Sequence, residues 1–346
     1  GKSTLTNAMV GQKVAITSNR PQTTRHTIRG IVHKDEYQLI LVDTPGIHRP
    51  RTLLGERLND LVASTLSQVD VLGFCIPANE KIGPGDRYIA SQLVASSNKP
   101  VVAIVTKADT VSSEELREQL LAVEALGEEV MSAERAARAK RAAHRAKQKG
   151  KSPKGKGGKN DAVPFAKGSG PAAKRRAGEV AEPMPVDGKG GWAAIIPVSA
   201  VKHFQVDAVA DLLAQYTPLS PPLYPEGELT DEPEATLIAE LVREAALEGA
   251  REELPHSIAV TVEEMEFREG RPADNPLLDV HVNLFVERES QKYIIIGKGG
   301  SNLRKIGTKA REQIEAMLGT RIYLNIHVKV AKEWQSDARA LNRLGF

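Results

Sequence analysis

Cysteine is all but absent: Cys75 is the single one in 346 residues. No disulfide framework can form, and one thiol inside an apolar run suits a reducing compartment. No apolar stretch approaches the roughly 20 residues of a membrane-spanning helix. No charged-then-apolar leader opens the chain, so the expectation is a cytoplasmic protein. Internal repeats are missing too, which excludes solenoids and propellers. Net charge is nearly absent at +3, but it is unevenly spread. Residues 131–176 hold 15 Lys/Arg against 2 Asp/Glu, a local +13, and this leaves the remainder at −10. A mildly acidic chain therefore carries one basic insert. Charge so concentrated suits a polyanionic partner, although a solubilising linker has the same composition.

What is present organises into two parts. Through residue 125, short apolar runs alternate with helical patterns. The runs at 37–42, 71–76 and 100–106 are nearly continuous, as in strands buried on both faces. Helical patterns over Lys2–Val10, Leu53–Gln68 and 85–95 lie between them. This predicts an α/β domain with a mostly parallel sheet and helices on both faces. The pattern breaks after Gly127. Residues 128–149 are rich in Ala, Arg and Lys and could form a helix, but they offer no apolar stripe. Residues 150–190 have the Gly/Pro/Lys composition of a disordered loop. A strand-like run at 192–198 and a helix at 206–216 complete the domain, and four prolines within 217–231 mark a linker. The expected division is a first domain over 1–218 with a basic insert at 128–190, a linker at 219–233, and a second domain with its tail over 234–346.

From Glu234 the order becomes helix, strand, strand, helix, helix, strand. Ile258, Val260 and Val262 share one face; so do Leu278, Val280, Val282, Leu284 and Val286, and likewise Ile322, Leu324, Ile326, Val328 and Val330. Period-two alternation leaves the opposite face for solvent or ligand, as in an α+β domain.

The chain opens with Gly1-Lys2-Ser3-Thr4, the second half of a P-loop, G-x-x-x-x-G-K-[ST], running into a helix. In such a loop the lysine reaches the β- and γ-phosphates and the serine hydroxyl binds Mg²⁺. Amides of the helix start complete the anion site. The first glycine and the strand ahead of the loop do not occur in this sequence. It reads as an N-terminally incomplete copy, which predicts impaired nucleotide binding by the chain as written. Asp43-Thr44-Pro45-Gly46 follows an apolar run, where the aspartate can hold Mg²⁺ through water and the Gly46 amide can sense a γ-phosphate. Thr106-Lys107-Ala108-Asp109 ends another run. Asp109 can accept from guanine N1–H and the 2-amino group, a donor pair that adenine lacks, while the Lys107 stem can pack along the base. Ser199-Ala200 follows a further strand, where a backbone amide can meet guanine O6. These four motifs in this order point to a GTP/GDP site.

Gly297-Lys298-Gly299-Gly300 lies between two helical patterns, a G-x-x-G loop of the kind that marks a KH domain. The glycines admit an RNA backbone closely and Lys298 neutralises phosphate. Apolar 294–296, with Ile294 and Ile296 at its ends, is expected on the wall of the base-facing groove, although plain core packing would use the same residues.

Pro21-Gln22-Thr23-Thr24-Arg25-His26 closely resembles switch I of the Era-type GTPases. The order around the G-x-x-G loop, and its lead-in Glu287-Arg288-Glu289-Ser290-Gln291-Lys292, resembles their type II KH domain. Glu333-Trp334, Asp337 and Arg339-Ala340-Leu341 are similar to their C-terminal tail. The resemblance covers roughly 1–125 and 192–346, and the basic insert has no counterpart in it. It implies a P-loop GTPase domain followed by a type II KH domain. Thr24 or its neighbour Thr23 would complete the Mg²⁺ shell when GTP is bound. The function implied is a slowly hydrolysing ribosome-assembly GTPase that binds the 3′ end of 16S rRNA on the 30S subunit as a monomer, with peripheral membrane association left open. Two departures matter. Thr106 stands where the guanine motif usually begins with Asn, which predicts weakened recognition. Ile47 stands where Ras-like proteins carry a water-positioning Gln, so no catalytic residue is assigned. An RNA-binding KH protein with a vestigial nucleotide site is the rival reading. A tRNA-modification GTPase is a second rival, disfavoured by the terminal KH pattern.

Overall fold

Strand β4 (Val101–Thr106) is buried at every position, so it must be an inner strand. The computed structural model, which describes residues 1–18, 23–47, 50–96, 99–149, 191–248, 257–272 and 274–346, flanks it with β3 (Leu72–Pro77) and β5 (Ala194–Pro197), both parallel to it. Pro21 and Gln22 of the switch-like segment, and 150–190 of the basic insert, lie outside the described residues. The parallel sheet expected of the first half is thus present. Beside it stands an antiparallel pair, β1 (Ile28–His33) and β2 (Gln38–Asp43). β1 is not among the expected strands, because Gly30 interrupts its apolar run. A Cβ there would come within 2.7 Å of Val10 Cγ2, so the bare backbone lets helix α1 (Lys2–Val10) lie against the strand. Between β2 and β3 opens a slot of about 490 Å³, walled by 38–43 and 71–75 and closed from the sides by Leu5 and Ile104.

Helices cover both faces of the parallel sheet. α2 (Leu53–Gln68) is capped by Thr52, whose hydroxyl accepts from the Gly55 amide at 3.2 Å. α3 (Pro84–Ser96) and α4 (Ser113–Lys149) pack over β3 and β4, burying Leu93, Val123, Leu126 and Val130. The helix left open for 128–149 is present, and it is continuous with the folded part, because α4 runs straight through Gly127. The glycine is there because the Trp192 indole lies on it. A Cβ would sit 2.7 Å from Nε1, and that nitrogen donates to the Val123 carbonyl at 2.7 Å. At least 128–149 of the basic insert is therefore a continuation of α4. α5 (Val206–Ala214) closes the other face with Leu5, Ile104 and Val198.

The second half opens with α6 (Glu234–Glu248), in which every residue from 240 to 247 is buried, charged ones included. A helix buried on all sides is enclosed between other elements. One side faces a three-stranded sheet of β6 (Ala259–Phe267), β7 (Leu277–Val286) and β8 (Arg321–Val330). β7 is central, antiparallel to β6 and parallel to β8. α7 (Glu289–Ile296) and α8 (Ser301–Leu318) pack on the same core, where Ile238, Val242, Val280, Leu284, Ile306 and Ile314 meet. A short α9 (Ala338–Arg343) follows β8.

The proline-rich stretch between the halves is pinned rather than loose. Leu229 accepts from the Ile31 amide at 2.9 Å, and the Gln38 side chain bonds the backbone of Leu223 and Tyr224. Arg29 pairs with Asp231 at 3.1 Å.

Candidate functional site

Three hard oxygen groups converge at the start of α1. Ser3 Oγ lies 3.0 Å from Thr24 Oγ1, and Thr24 Oγ1 donates to Asp43 Oδ2 at 3.3 Å. All three residues are buried. Asp43 Oδ1 is buried without a hydrogen-bond partner among the described residues. Burial pushes the Asp43 carboxyl above its ordinary range, and nearby Ser3 and Lys2 offset this only in part. An orphaned carboxylate oxygen beside two hydroxyls fits a small divalent cation that takes oxygen ligands and keeps waters, as Mg²⁺ does. The Thr23 hydroxyl faces Ser18 at 2.8 Å, whereas that of Thr24 faces Ser3 and Asp43.

Next to this group lies a cleft of about 990 Å³. Gly1, Thr4, Thr106, Lys107, Asp109 and Ala200 line it. Gly1 and Thr4 of the expected phosphate motif therefore share one cavity with the expected guanine-motif residues, of a size that holds a nucleotide. Asp109 is exposed to the cleft, and Lys107 holds a left-handed backbone with φ of +58°, a conformation that carries strain and is concentrated at functional sites. The Ser199 amide is taken by the Phe204 carbonyl at 3.1 Å, and the Ala200 amide has no partner among the described residues. Thr106 turns its hydroxyl toward the Ile76 carbonyl at 3.4 Å, too long for a strong bond. Lys2 and Gly46 do not line this cleft; they border the slot between β2 and β3. Ile47 packs against the apolar core of β3 and α3, so no polar group stands there to orient water.

The G-x-x-G loop joins α7 to α8. Gly297 has φ of +72°, and a Cβ there would meet Asn302 Cβ at 2.7 Å, so glycine is required. Asn302 closes α7 by donating to the carbonyls of Ile294 and Ile295. Lys298 and Gly299 are exposed, while Gly300 is half-buried. The apolar 294–296 wall divides: Ile294 is 53% exposed, Ile296 half-buried, and Ile295 points into the core at 1%. Tyr293, exposed on the last turn of α7, is an aromatic surface beside the loop that the sequence pattern does not single out.

The family model described as 50S ribosome-binding GTPase matches residues 1–107, and a KH domain model matches 253–335. GTPase Era of Streptomyces coelicolor is 55% identical over 346 residues, covering all of this chain and 91% of that protein. The chain belongs to the Era family of GTPases. GTPase Era of a Nocardioides species is 51% identical, with 92% of that protein covered. Two solved Era structures superpose with a TM-score of 0.76 at 29% identity, covering this whole chain and 94% of each. One is an Aquifex aeolicus Era variant bound to GDP·AlF4⁻; the other is Era with MgGDPNP and nucleotides 1506–1542 of 16S ribosomal RNA. As an Era-family enzyme the chain hydrolyses GTP with water to GDP and phosphate.

Several residues of the candidate site are silent in the sequence. Thr17, Ser18, Leu247 and Glu248 also border the cleft, the last two from α6 of the second half. Glu240, Arg243 and Glu244 are buried on that helix at 6%, 2% and 2% exposure. The only signal for them is charge inside an otherwise apolar helical face, which reads equally well as a solvated edge.

Proposed function

We propose that this chain binds GTP and Mg²⁺ at the α1/β2 site, hydrolyses GTP slowly, and couples the nucleotide state to its grip on the 3′ end of 16S rRNA within the 30S subunit, acting as a monomer. The observation that carries the reading is the convergence of Ser3, Thr24 and Asp43, with one carboxylate oxygen unspent, beside a cleft that also holds Asp109. Bound Mg²⁺ would neutralise charge on the phosphates. Ser3 and Thr24 would hold it through their hydroxyls, and Asp43 through its free oxygen. Gly1 and Thr4, at the amino end of α1, orient the phosphates; Lys2 supplies charge; the Gly46 amide senses the terminal phosphate. Asp109 selects guanine by accepting two donors, Lys107 lies along the base, and Ala200 offers an amide to the carbonyl at C6. Thr106 contributes a weaker tie than an amide side chain would. With Ile47 in the core, hydrolysis lacks a side chain on that element to orient water, and a slow intrinsic rate follows.

For RNA, the exposed Lys298 and the bare backbone of Gly297, Gly299 and Gly300 meet phosphate, while Ile294 and Ile296 border the bases. The tested consequence for the nucleotide site is base choice. Asp109→Asn turns an acceptor pair into a mixed donor–acceptor group. In full-length protein it should favour XTP over GTP, measured by competition against labelled GDP. An unchanged GTP-to-XTP ratio would remove Asp109 as the base reader.

A further inference from the structure

Switch I is held from outside its own domain. Contacts from the second half reach it at Thr23, Arg25 and His26, and also reach Thr17 ahead of it. Glu244 accepts from the Thr17 amide at 2.8 Å and from its hydroxyl at 3.3 Å, while pairing with Lys13. Arg243 donates to the Thr23 carbonyl. Arg25 donates to the Ile258 carbonyl at 2.5 Å and stands over the Trp334 ring at 5.6 Å. His26 stacks on Phe346 with ring centroids 4.9 Å apart. Arg243 is itself fixed by a two-point ion pair to Glu240, at 2.9 and 2.6 Å. Both arginines are buried, 3% and 2% exposed, so these are desolvated contacts and not surface pairs of negligible worth.

Thr24 lies between the two anchors. The residue before it is tied at its carbonyl by Arg243, and the residue after it is tied through its side chain. With its neighbours fixed, the Thr24 hydroxyl has little freedom except to face Ser3 and Asp43, where it is found.

The geometry points to Arg25 and the Glu240–Arg243 pair as positioning residues of the GTPase site, which act through Thr24 on the Mg²⁺ shell although they touch neither nucleotide nor metal. This rests on the assignment of Thr24 to that shell. It makes the second half part of the hydrolytic apparatus, in addition to whatever RNA it binds. The effect should be specific to GTP, because GDP lacks the phosphate for which switch I must close.

The test uses full-length protein and single-turnover GTP hydrolysis titrated with MgCl2. Removing Arg243 alone would strand a buried Glu240, so the pair is replaced together, Glu240→Met with Arg243→Met, which leaves no orphan charge. The expected result is a single-turnover rate constant lower by about ten- to a hundredfold, with a half-saturating Mg²⁺ concentration raised about tenfold. Affinity for labelled GDP should stay within about twofold, since a local loss of positioning is uniform-binding neutral. Arg25→Met, which leaves the ion pair intact, should shift the same quantities in the same direction and stands in if the double variant does not fold. Thr24→Ala is the control for the underlying assignment. If Thr24→Ala changes the Mg²⁺ dependence and the folded arginine variants do not, the positioning role is refuted while the site stands. If Thr24→Ala changes nothing, the assignment beneath it falls. GTP and GDP affinities falling by the same factor would reduce the arginines to structural ties and overturn the inference.

Discussion

Replacing Lys298 and Gly299 together with Asp should abolish most RNA binding without harming the fold, and the structure gives the reason for choosing these two. A Cβ at Gly299 meets nothing within 4 Å, and its φ of +58° lies in the left-handed region that Asp tolerates better than most residues. The strain is on the order of 1–2 kcal/mol. That is affordable within the roughly 5–15 kcal/mol stability of a folded protein. Gly297 is the wrong choice: its Cβ would strike Asn302, whose amide closes α7, so its replacement would confuse folding with binding. The double variant removes one positive charge, adds two negative ones, and puts side chains where backbone must approach phosphate. About two charge-assisted contacts are lost, worth roughly 2–4 kcal/mol together. This corresponds to an RNA affinity lower by about thirty- to a thousandfold. The loop contributes no residue to the nucleotide cleft or to switch I, so GTP affinity without RNA should not move. The assay is a fluorescence titration of a 16S rRNA 3′-end oligonucleotide at two salt concentrations, alongside thermal unfolding. Unchanged RNA affinity in a folded variant would refute the reasoning and leave the basic insert as the RNA contact.

Gly127→Ala tests the packing of α4: alanine usually gains about 0.5–1 kcal/mol in a helix, but overlap with a hydrogen-bonded Trp192 should cost about 1–3 kcal/mol. A net lower melting temperature is expected, and a rise would mean the indole is free to move. For pH, burial first, then the Arg243 and Arg25 charges against the pull of Glu240, hold His26 below its ordinary 6.5. The unfolded chain therefore takes the proton first, and stability that is full above pH 6.5 should fall below it by at most about 1.4 kcal/mol per pH unit. Burial alone would raise Glu240, but Arg243, with His26 and Arg25, holds that carboxyl below 4.5, so its contribution is lost only at still lower pH. Urea unfolding at pH 7.5 and 5.5 checks this; His26→Phe, which keeps an aromatic ring against Phe346, should flatten the slope. Deleting 142–178 spares the Arg138 bond to the Val94 carbonyl and removes 11 basic residues. If the insert touches RNA, the salt dependence of binding should become shallower, and an identical slope would make it a passive linker.

Most of the candidate site was legible because its motifs are short and ordered along the chain. Ser3, Asp43, Asp109 and the G-x-x-G loop each follow from residue type and spacing, and the folded chain brings the first three to one region. What was not legible depends on partners far apart in sequence. Gly127 looks like the end of the regular pattern until Trp192, 65 positions later, is seen lying on it. β1 is hidden because Gly30 serves close packing against α1 and so breaks the apolar count. Ile295 cannot be separated from Ile294 by composition, since both are isoleucine on one helix turn; only the direction of the core distinguishes them. Arg243 and Glu240 read as surface charges because the domain that buries them is specified elsewhere.

The same long-range contacts bear on how two halves can act as one device. A proline-rich connection suggests independent domains, but here it is bonded along β1 and β2 through Leu229, Leu223, Tyr224 and Asp231. Helix α2, which follows Asp43 and Gly46, places Leu54 and Leu58 in one cluster with Trp334, Leu341 and Leu344 of the tail. Arg57 of the same helix donates to the Phe346 carbonyl at 2.5 Å. Phe346 in turn stacks on His26 and Trp334, so the tail touches the switch I-like segment and α2 at once. A movement of either nucleotide-facing segment must therefore break contacts to the second half or carry that half with it. Buried, densely packed contacts do not stretch gradually, and such an arrangement favours two discrete states over a continuum. In the proposed function, the link between phosphate and RNA would run through this clasp of α6 and tail around the switch-like segment, with the linker keeping the halves in register.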